Sequence, residues 1–480
     1  MTHAETETRD QKVSLPTLTA MVIGSMIGSG VFLLPRRFGT ETGVAGALIA
    51  WAIAGAGMLM LAFVFQRLAT RKPDLDAGLF AYAKAGFGDY MGFNSAFGFW
   101  ASACAGNCSY WVLIMTTLGA LFPALGAGNT VLAVILSSAG VWLFFYLILR
   151  GVKEAAVINR IVTYAKIIPI LVFIVIAIIA FKAGVFADNF WGGDGNYSWT
   201  SLFEQAKGTM LITVFVFLGI EGASVYSRFA RKREDVGRAT VIGFLSVLAV
   251  LMLVTLTSYG VLPQSELAGV SQPSVASVLE SIVGPWGSVF IKAGVILSVL
   301  GAYLAWTLMA AEMLYIPAKS SDMPRFLTRE NAHGAPVPAL IMAGGLVQLL
   351  LVLLLFASNA LDFMLDLTAA LSLIPYLLAA AYALKLTLTR ETYEDGRSLV
   401  PDTVIAAVAT VYTMFLVWAA GWDHLLLSCI LYAVGAILYF IARRERQLRI
   451  FTPAEAVVFA AIVLGAVAGI YGLTTGAIQI

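Results

Sequence analysis

Gly24-Ser25-Met26-Ile27-Gly28-Ser29-Gly30-Val31-Phe32-Leu33-Leu34-Pro35 lies inside an apolar stretch, 15–38, that otherwise has the length and composition of a helix. Three glycines in the seven residues 24–30 each cost a continuous helix about 1 kcal/mol against Ala. The run therefore reads as an interruption. Stretches of about twenty apolar residues cross a hydrocarbon core of roughly 30 Å. Non-helical backbone at that depth persists only where it is buried in protein or lines a cavity.

The rest of the chain sets the same solvent. Of 480 residues, 60% are apolar and 12% charged, and the mean hydropathy is +0.88. A soluble domain runs at about half apolar and a quarter charged. A net charge of +2 points to neither nucleic acid nor an acidic partner. Apolar runs fall near 15–38, 43–65, 91–121, 130–149, 158–181, 203–227, 238–262, 287–316, 337–357, 361–385, 402–420, 424–441 and 454–475, which predicts thirteen spans. Basic residues collect in alternate connections: Arg67, Arg71, Lys72 and Lys84; Arg150, Lys153 and Arg160; Arg231, Lys232, Arg233 and Arg238; Lys319, Arg325 and Arg329; Lys385, Arg390 and Arg397; Arg443, Arg444, Arg446 and Arg449. The intervening connections near 121–130, 262–286, 357–361 and 420–424 carry no Lys or Arg. By the positive-inside rule the N-terminus is cytoplasmic and, with thirteen spans, the C-terminus lies outside. Arg36, Arg37 and Lys182 are the exceptions. The polar start, MTHAETETRD, gives no cleavable signal peptide ahead of the first span.

A second interruption, Gly219-Ile220-Glu221-Gly222-Ala223, lies in the sixth apolar run. Breaks at matching places in two halves are the mark of transporters built from inverted repeats, and breaks in runs one and six make each repeat five helices. The competing reading is that the glycines only let helices pack closely. The fold expected is an all-α polytopic membrane protein with a five-plus-five core. Its predicted divisions are a cytoplasmic tail, 1–14; the core, 15–385; a cytoplasmic linker, 386–401; and accessory C-terminal helices, 402–480. Half-helix N-termini suit a carboxylate, and exposed carbonyls at the opposite ends suit an ammonium. An α-amino acid has both groups.

These segments resemble the amino acid–polyamine–organocation superfamily, in its basic amino acid/polyamine antiporter branch. GSMIGSGVFLLP (Gly24 to Pro35) is similar to the first-helix signature of arginine–agmatine antiporters. FVFLGIEGASVYSRFARKREDVGRAT (Phe215 to Thr240) and the segment from Gly301 to Leu340 are closer to arginine–ornithine antiporters. The resemblance implies a LeuT-like core. It implies that Ser25, Ser29 and Gly30 meet the substrate's α-carboxylate and α-amino groups. It sets Phe99 against the substrate in the outer gate, where the family often has Tyr, and Asn107 on the substrate's side chain. Phe215 would stack on the substrate and Trp306 would pack over it from below. An aromatic face under a cation contributes roughly 0.5–2 kcal/mol.

Intramembrane charge adds further candidates. A carboxylate at mid-span costs about 2.5–3.5 kcal/mol on insertion scales and is a functional candidate by default. Glu221 is therefore a functional candidate, for which the resemblance implies a part in gating and coupling; the other reading is a cap on amides freed by the break. Lys166, two turns into the fifth run, is either a proton site or a side chain snorkelling to the interface. Glu312 reads as facing the cytoplasmic vestibule, where it would attract a cation. Lys292 reads as a snorkelling anchor. Asp362 and Asp366 read as a cation-attracting pair or as acids at a helix N-terminus.

Cys104, Cys108 and Cys429 form neither a disulfide framework nor a zinc site, and small residues at helix interfaces explain them. His3, His333 and His424 are the only histidines, all at or beyond the predicted membrane edges, and no nucleophile, metal or Walker motif occurs, so an enzyme is not expected. Neither a metal nor a cofactor is implied. The expected partners are small amino acids and the lipid bilayer, with no nucleic acid, and a homodimer is open to it. The function expected is exchange of cationic amino acids, arginine for ornithine, by alternating access. The alternatives are a proton-coupled uptake permease using Lys166, or the membrane subunit of a larger complex.

Overall fold

The computed structural model describes residues 14–75, 78–151, 156–192, 197–221, 233–393 and 399–478. The tail read at 1–14 lies almost wholly outside them, as do Gly222 and Ala223 of the second break and part of the linker at 386–401. The first half runs α1 (Leu15–Met26), α2 (Leu34–Glu41), α3 (Val44–Arg71), α4 (Leu79–Phe87), α5 (Asp89–Gly119), α6 (Val131–Leu149) and α7 (Ala156–Ile179). After short α8 (Ala183–Asp188), α9 (Trp199–Gly208) and α10 (Met210–Phe217) form the sixth segment. Then come α11 (Arg233–Tyr259), α12 (Gln264–Gly269), α13 (Ser274–Val283), α14 (Pro285–Lys319), α15 (Val337–Leu353) and α16 (Ala360–Thr389). The chain ends with α17 (Leu399–Ala419), α18 (Gly421–Glu445) and α19 (Pro453–Thr475).

Ten described helices are long and apolar enough to cross a membrane, and eleven if α1 with the bent segment Ser29–Glu41 counts as one span. The protein is thus a multi-pass membrane protein, but the expected thirteen spans are not reached on length and composition. The two segments short of the count are the third and the sixth. The third, α5, has 31 residues and is long enough at about 1.5 Å per residue. Its sequence is diluted by Gly, Ser and Asn that are buried against neighbouring helices and face no lipid. The sixth is cut short by its own break.

Helices α5 and α16 form the central pair, with α14 packed on α5 and α17 on α16. Pro375 in α16 cannot donate to the carbonyl of Leu371; the Tyr432 hydroxyl from α18 reaches that carbonyl at 3.5 Å. The last two helices pack on each other and are tied to the start of α5. Arg443 pairs with Asp89 at 2.7 Å, and the Tyr90 amide donates to Glu455 at 2.9 Å. Glu455 also closes a capping box with Thr452 at the start of α19. Lys84, in the short helix α4, joins the same cluster through Asp322 at 2.5 Å.

At the other end of the core, Arg37 of α2 pairs with Asp362 at 3.2 Å and Asp366 at 2.5 Å, both on α16. This accounts for a basic residue at the first exit and for the acid pair one turn apart. The cation these acids attract is the protein's own.

Candidate substrate site

The first break follows from helix-end chemistry. A helix leaves its last carbonyls without intrahelical donors. The Ile27 amide still bonds to Ile23 at 3.0 Å, after which Gly28 turns to extended backbone at φ −114° and ψ −152°. A 3₁₀ turn over Ser29–Leu33 restarts the helix, and the two halves differ in direction by 51°. The Gly24 carbonyl, which loses its partner at the break, accepts from Lys166 Nζ at 2.7 Å. Lys166 is only 9% exposed, so it turns inward to the break and does not snorkel.

At the second break, α10 ends at Phe217, Leu218 is extended, and Gly219 has φ +102°. A Cβ at Gly219 would stand 2.2 Å from the Ser25 carbonyl, so only glycine fits both the dihedral and the approach. The two breaks are therefore in contact. Glu221 folds back over its own break. Its Oε2 accepts from the Gly219 amide at 3.2 Å and from the Tyr376 hydroxyl at 2.6 Å.

A small cavity of about 30 Å³ lies between the breaks, lined among others by Ser25, Ser29, Gly30, Phe215 and Trp306. Ser29 Oγ is buried beside Tyr110 and makes no hydrogen bond of acceptable geometry among the described residues. A side chain at Gly30 would strike Val216 at 2.6 Å and Phe215 at 3.0 Å. Space of this size holds about one water; a free amino acid enters only after the walls move apart.

Five of the expected residues thus meet around one cavity, and the others fall elsewhere. Phe99 does not line it. It lies seven residues toward the Asp89 end of α5 from Gly106, about 10 Å of helix, with its ring 6.3 Å from that of Tyr376. Phe99 is thus set apart from the cavity along α5, toward the Asp89 end of that helix. Asn107 stands behind the wall: its Nδ2 donates to Thr307 at 3.2 Å, linking α5 to α14, and its Oδ1 is buried with no partner among the described residues. Glu221 is likewise outside the lining and belongs to the Phe99–Tyr376 cluster. Glu312 is exposed near the Lys319 end of α14 and does not reach the cavity. Tyr110, Thr368, Gly106 and Tyr376 are additions that sequence reasoning missed. Tyr376 carried one signal, a polar ring beside a mid-helix proline. Among the described residues no His, Cys, Asp and Glu group is arranged to hold a metal.

The family model described as "Amino acid permease" matches residues 13–436. The chain belongs to that family. The permease is 50% identical over 473 residues to an arginine/ornithine antiporter of Pseudomonas aeruginosa, covering 97% of this chain and 98% of that one. It is 38% identical to an L-lysine transport protein of Corynebacterium glutamicum, covering 98% and 96%. An arginine/agmatine antiporter of Chlamydia pneumoniae is 36% identical, covering 96% and 97%. In three dimensions the permease is similar to MhsT in complex with L-phenylalanine, with a TM-score of 0.57 at 15% identity over 84% of this chain and 98% of that one. That likeness bears on the fold alone and puts the permease in the LeuT-like class.

Proposed function

We propose that the protein is an antiporter of cationic amino acids that exchanges arginine for ornithine by alternating access. The observation that carries this reading is its 50% identity, over nearly the whole of both chains, to an arginine/ornithine antiporter. The geometry supports it. Two interrupted helices meet at a cavity whose polar groups include a buried serine hydroxyl and whose walls include Phe215 and Trp306. In this reading the substrate's α-carboxylate meets the amide end of the 3₁₀ turn at Ser29–Gly30, and its α-ammonium meets carbonyls at the end of α1. The distal cation lies over the aromatic faces. The closed cavity then has to open to one side to release one passenger and take the next, which gives one-for-one exchange.

The orientation proposed is cytoplasmic N-terminus and outside C-terminus in the plasma membrane, with the transport core at 15–385 and accessory helices at 402–480. Phe99, Tyr376 and Glu221 then form the inner closure. Proton-coupled uptake through Lys166 is not favoured, because relatives over nearly the whole chain, the one at 50% identity among them, are named antiporters and the Lys166 ammonium already serves the end of α1.

The test is uptake of radiolabelled arginine into liposomes holding the purified protein, preloaded with ornithine or empty. Uptake that needs internal ornithine is expected. Accumulation in empty liposomes driven by a pH gradient would replace exchange by proton coupling.

A further inference from the structure

Away from the substrate cavity, a groove of about 440 Å³ opens between α3, α11 and α17, lined by Phe63, Gln66, Arg67, Arg238, Ile242 and Ile405. Its residues share one end of the bundle. Arg67 is four residues from the end of α3, Arg238 five residues into α11 and Ile405 six residues into α17. At 1.5 Å per residue these positions lie about 6–9 Å inside the helix ends, which is headgroup depth. The floor is apolar and open, with Ile242 48% exposed.

The rim carries uncompensated charge. Asp402 is shared between Arg67 at 3.1 Å and Arg71 at 3.0 Å, so one carboxylate faces two guanidiniums. Arg67 remains 44% exposed. Arg238 is exposed and makes no ion pair among the described residues, including with Asp235 one turn before it. Gln66 packs against the α11 backbone at Gly237, beside Arg238. The sequence places Arg231, Lys232 and Arg233 immediately before this point.

We propose that this groove binds an anionic phospholipid, with its phosphate between Arg67 and Arg238 and one acyl chain along Phe63, Ile242 and Ile405. Guanidinium groups are suited to phosphate oxygens through paired N–H donors. Basic pockets between helices at the cytoplasmic face select anionic headgroups. The apolar floor at headgroup depth is what a free phosphate ion would not use. The bound lipid would bridge two core helices to the first accessory helix.

The test uses the full-length protein in micelles containing equal amounts of phosphatidylglycerol and phosphatidylcholine with identical chains, read by native mass spectrometry. Preferential retention of phosphatidylglycerol is expected. Arg238→Gln should lower that retention about fivefold, the effect of one basic residue at an anionic surface, and leave phosphatidylcholine unchanged. Ile405→Trp fills the floor while both arginines stay, and should also release the anionic lipid, so the test does not depend on one variant folding. Lys292→Gln, in the first turns of α14 away from the groove, should change neither. Equal retention of the two lipids, undiminished phosphatidylglycerol in both groove variants, or its displacement by excess inorganic phosphate would overturn the proposal.

Discussion

Lys166 Nζ donates to the Gly24 carbonyl over 2.7 Å, so an ammonium of the protein itself occupies the end of the first half-helix. A hydrogen bond to a charged group is worth about 1.5–3 kcal/mol. Lys166→Met should lower the thermal midpoint of the detergent-solubilised protein by a corresponding amount, and wild-type exchange should move no protons across the liposome wall, as reported by an internal pH dye. An unchanged midpoint would remove the bond from the architecture of the break.

Gly219→Ala places a methyl 2.2 Å from the Ser25 carbonyl on backbone at φ +102°. The dihedral alone costs about 1–2 kcal/mol, and the clash pushes the two breaks apart. Loss of the monodisperse peak in fluorescence size-exclusion chromatography is expected, or loss of exchange in whatever folds. Gly184→Ala, with no atom within 4 Å of the added carbon, is the matched control and should behave as wild type.

The Tyr376 hydroxyl and the Glu221 carboxylate share one bond at 2.6 Å. Tyr376→Phe and Glu221→Gln should each slow arginine–ornithine exchange about tenfold or more, the rate equivalent of a charged hydrogen bond. The double variant should be no slower than the worse single one, because both remove the same contact. Additive losses in initial exchange rates would show that the two side chains act separately.

Arg37 is 13% exposed and holds two acids. Removing one partner from a buried charge set costs about 3–5 kcal/mol, whereas removing the whole set costs much less. Arg37→Gln should therefore melt well below wild type, and Arg37→Gln with Asp362→Asn and Asp366→Asn should recover most of the difference. A triple variant that melts lower still would assign the stability to the network itself.

Asp322, in the connection after α14, has a carboxyl pushed above its ordinary range by burial, which outweighs the lowering effect of Lys84. The native state therefore holds this proton to higher pH than the unfolded chain does. Its stabilising contribution is full below the ordinary aspartate value and falls as pH rises through the raised one. Asp322→Asn removes that falling contribution and should steepen the rise of stability with pH across the acid range; an unaltered limb would mean that Asp322 titrates as it does in the unfolded chain.

The first break was legible because glycine spacing is a local property, and the same holds for the long apolar runs that became helices. What the sequence could not give is pairing across distance. Tyr376 and Glu221 are 155 positions apart, and Arg37 and Asp366 are 329 apart. Lys166 could reach either the interface or the helix end, and only the position of the Gly24 carbonyl decides between them. Phe99 shows a related limit: residue type survives carry-over from a family motif, but its depth along α5, apart from the cavity lining, has to be counted from the helix's own end.

The Arg37 cluster also has a consequence in time. Ribosomes add about 5–20 residues per second, so the 329 positions between Arg37 and Asp366 take roughly 15–65 s to make. In the proposed orientation the first membrane segment carries, for that interval, a guanidinium on its translocated side with neither Asp362 nor Asp366 yet made to pair with it. In that orientation Arg67, Arg71 and Lys72 in the next connection are the charges that hold the early hairpin by the positive-inside rule until α16 is delivered, and a chain that ends before Asp362 is expected to invert its first segment more often.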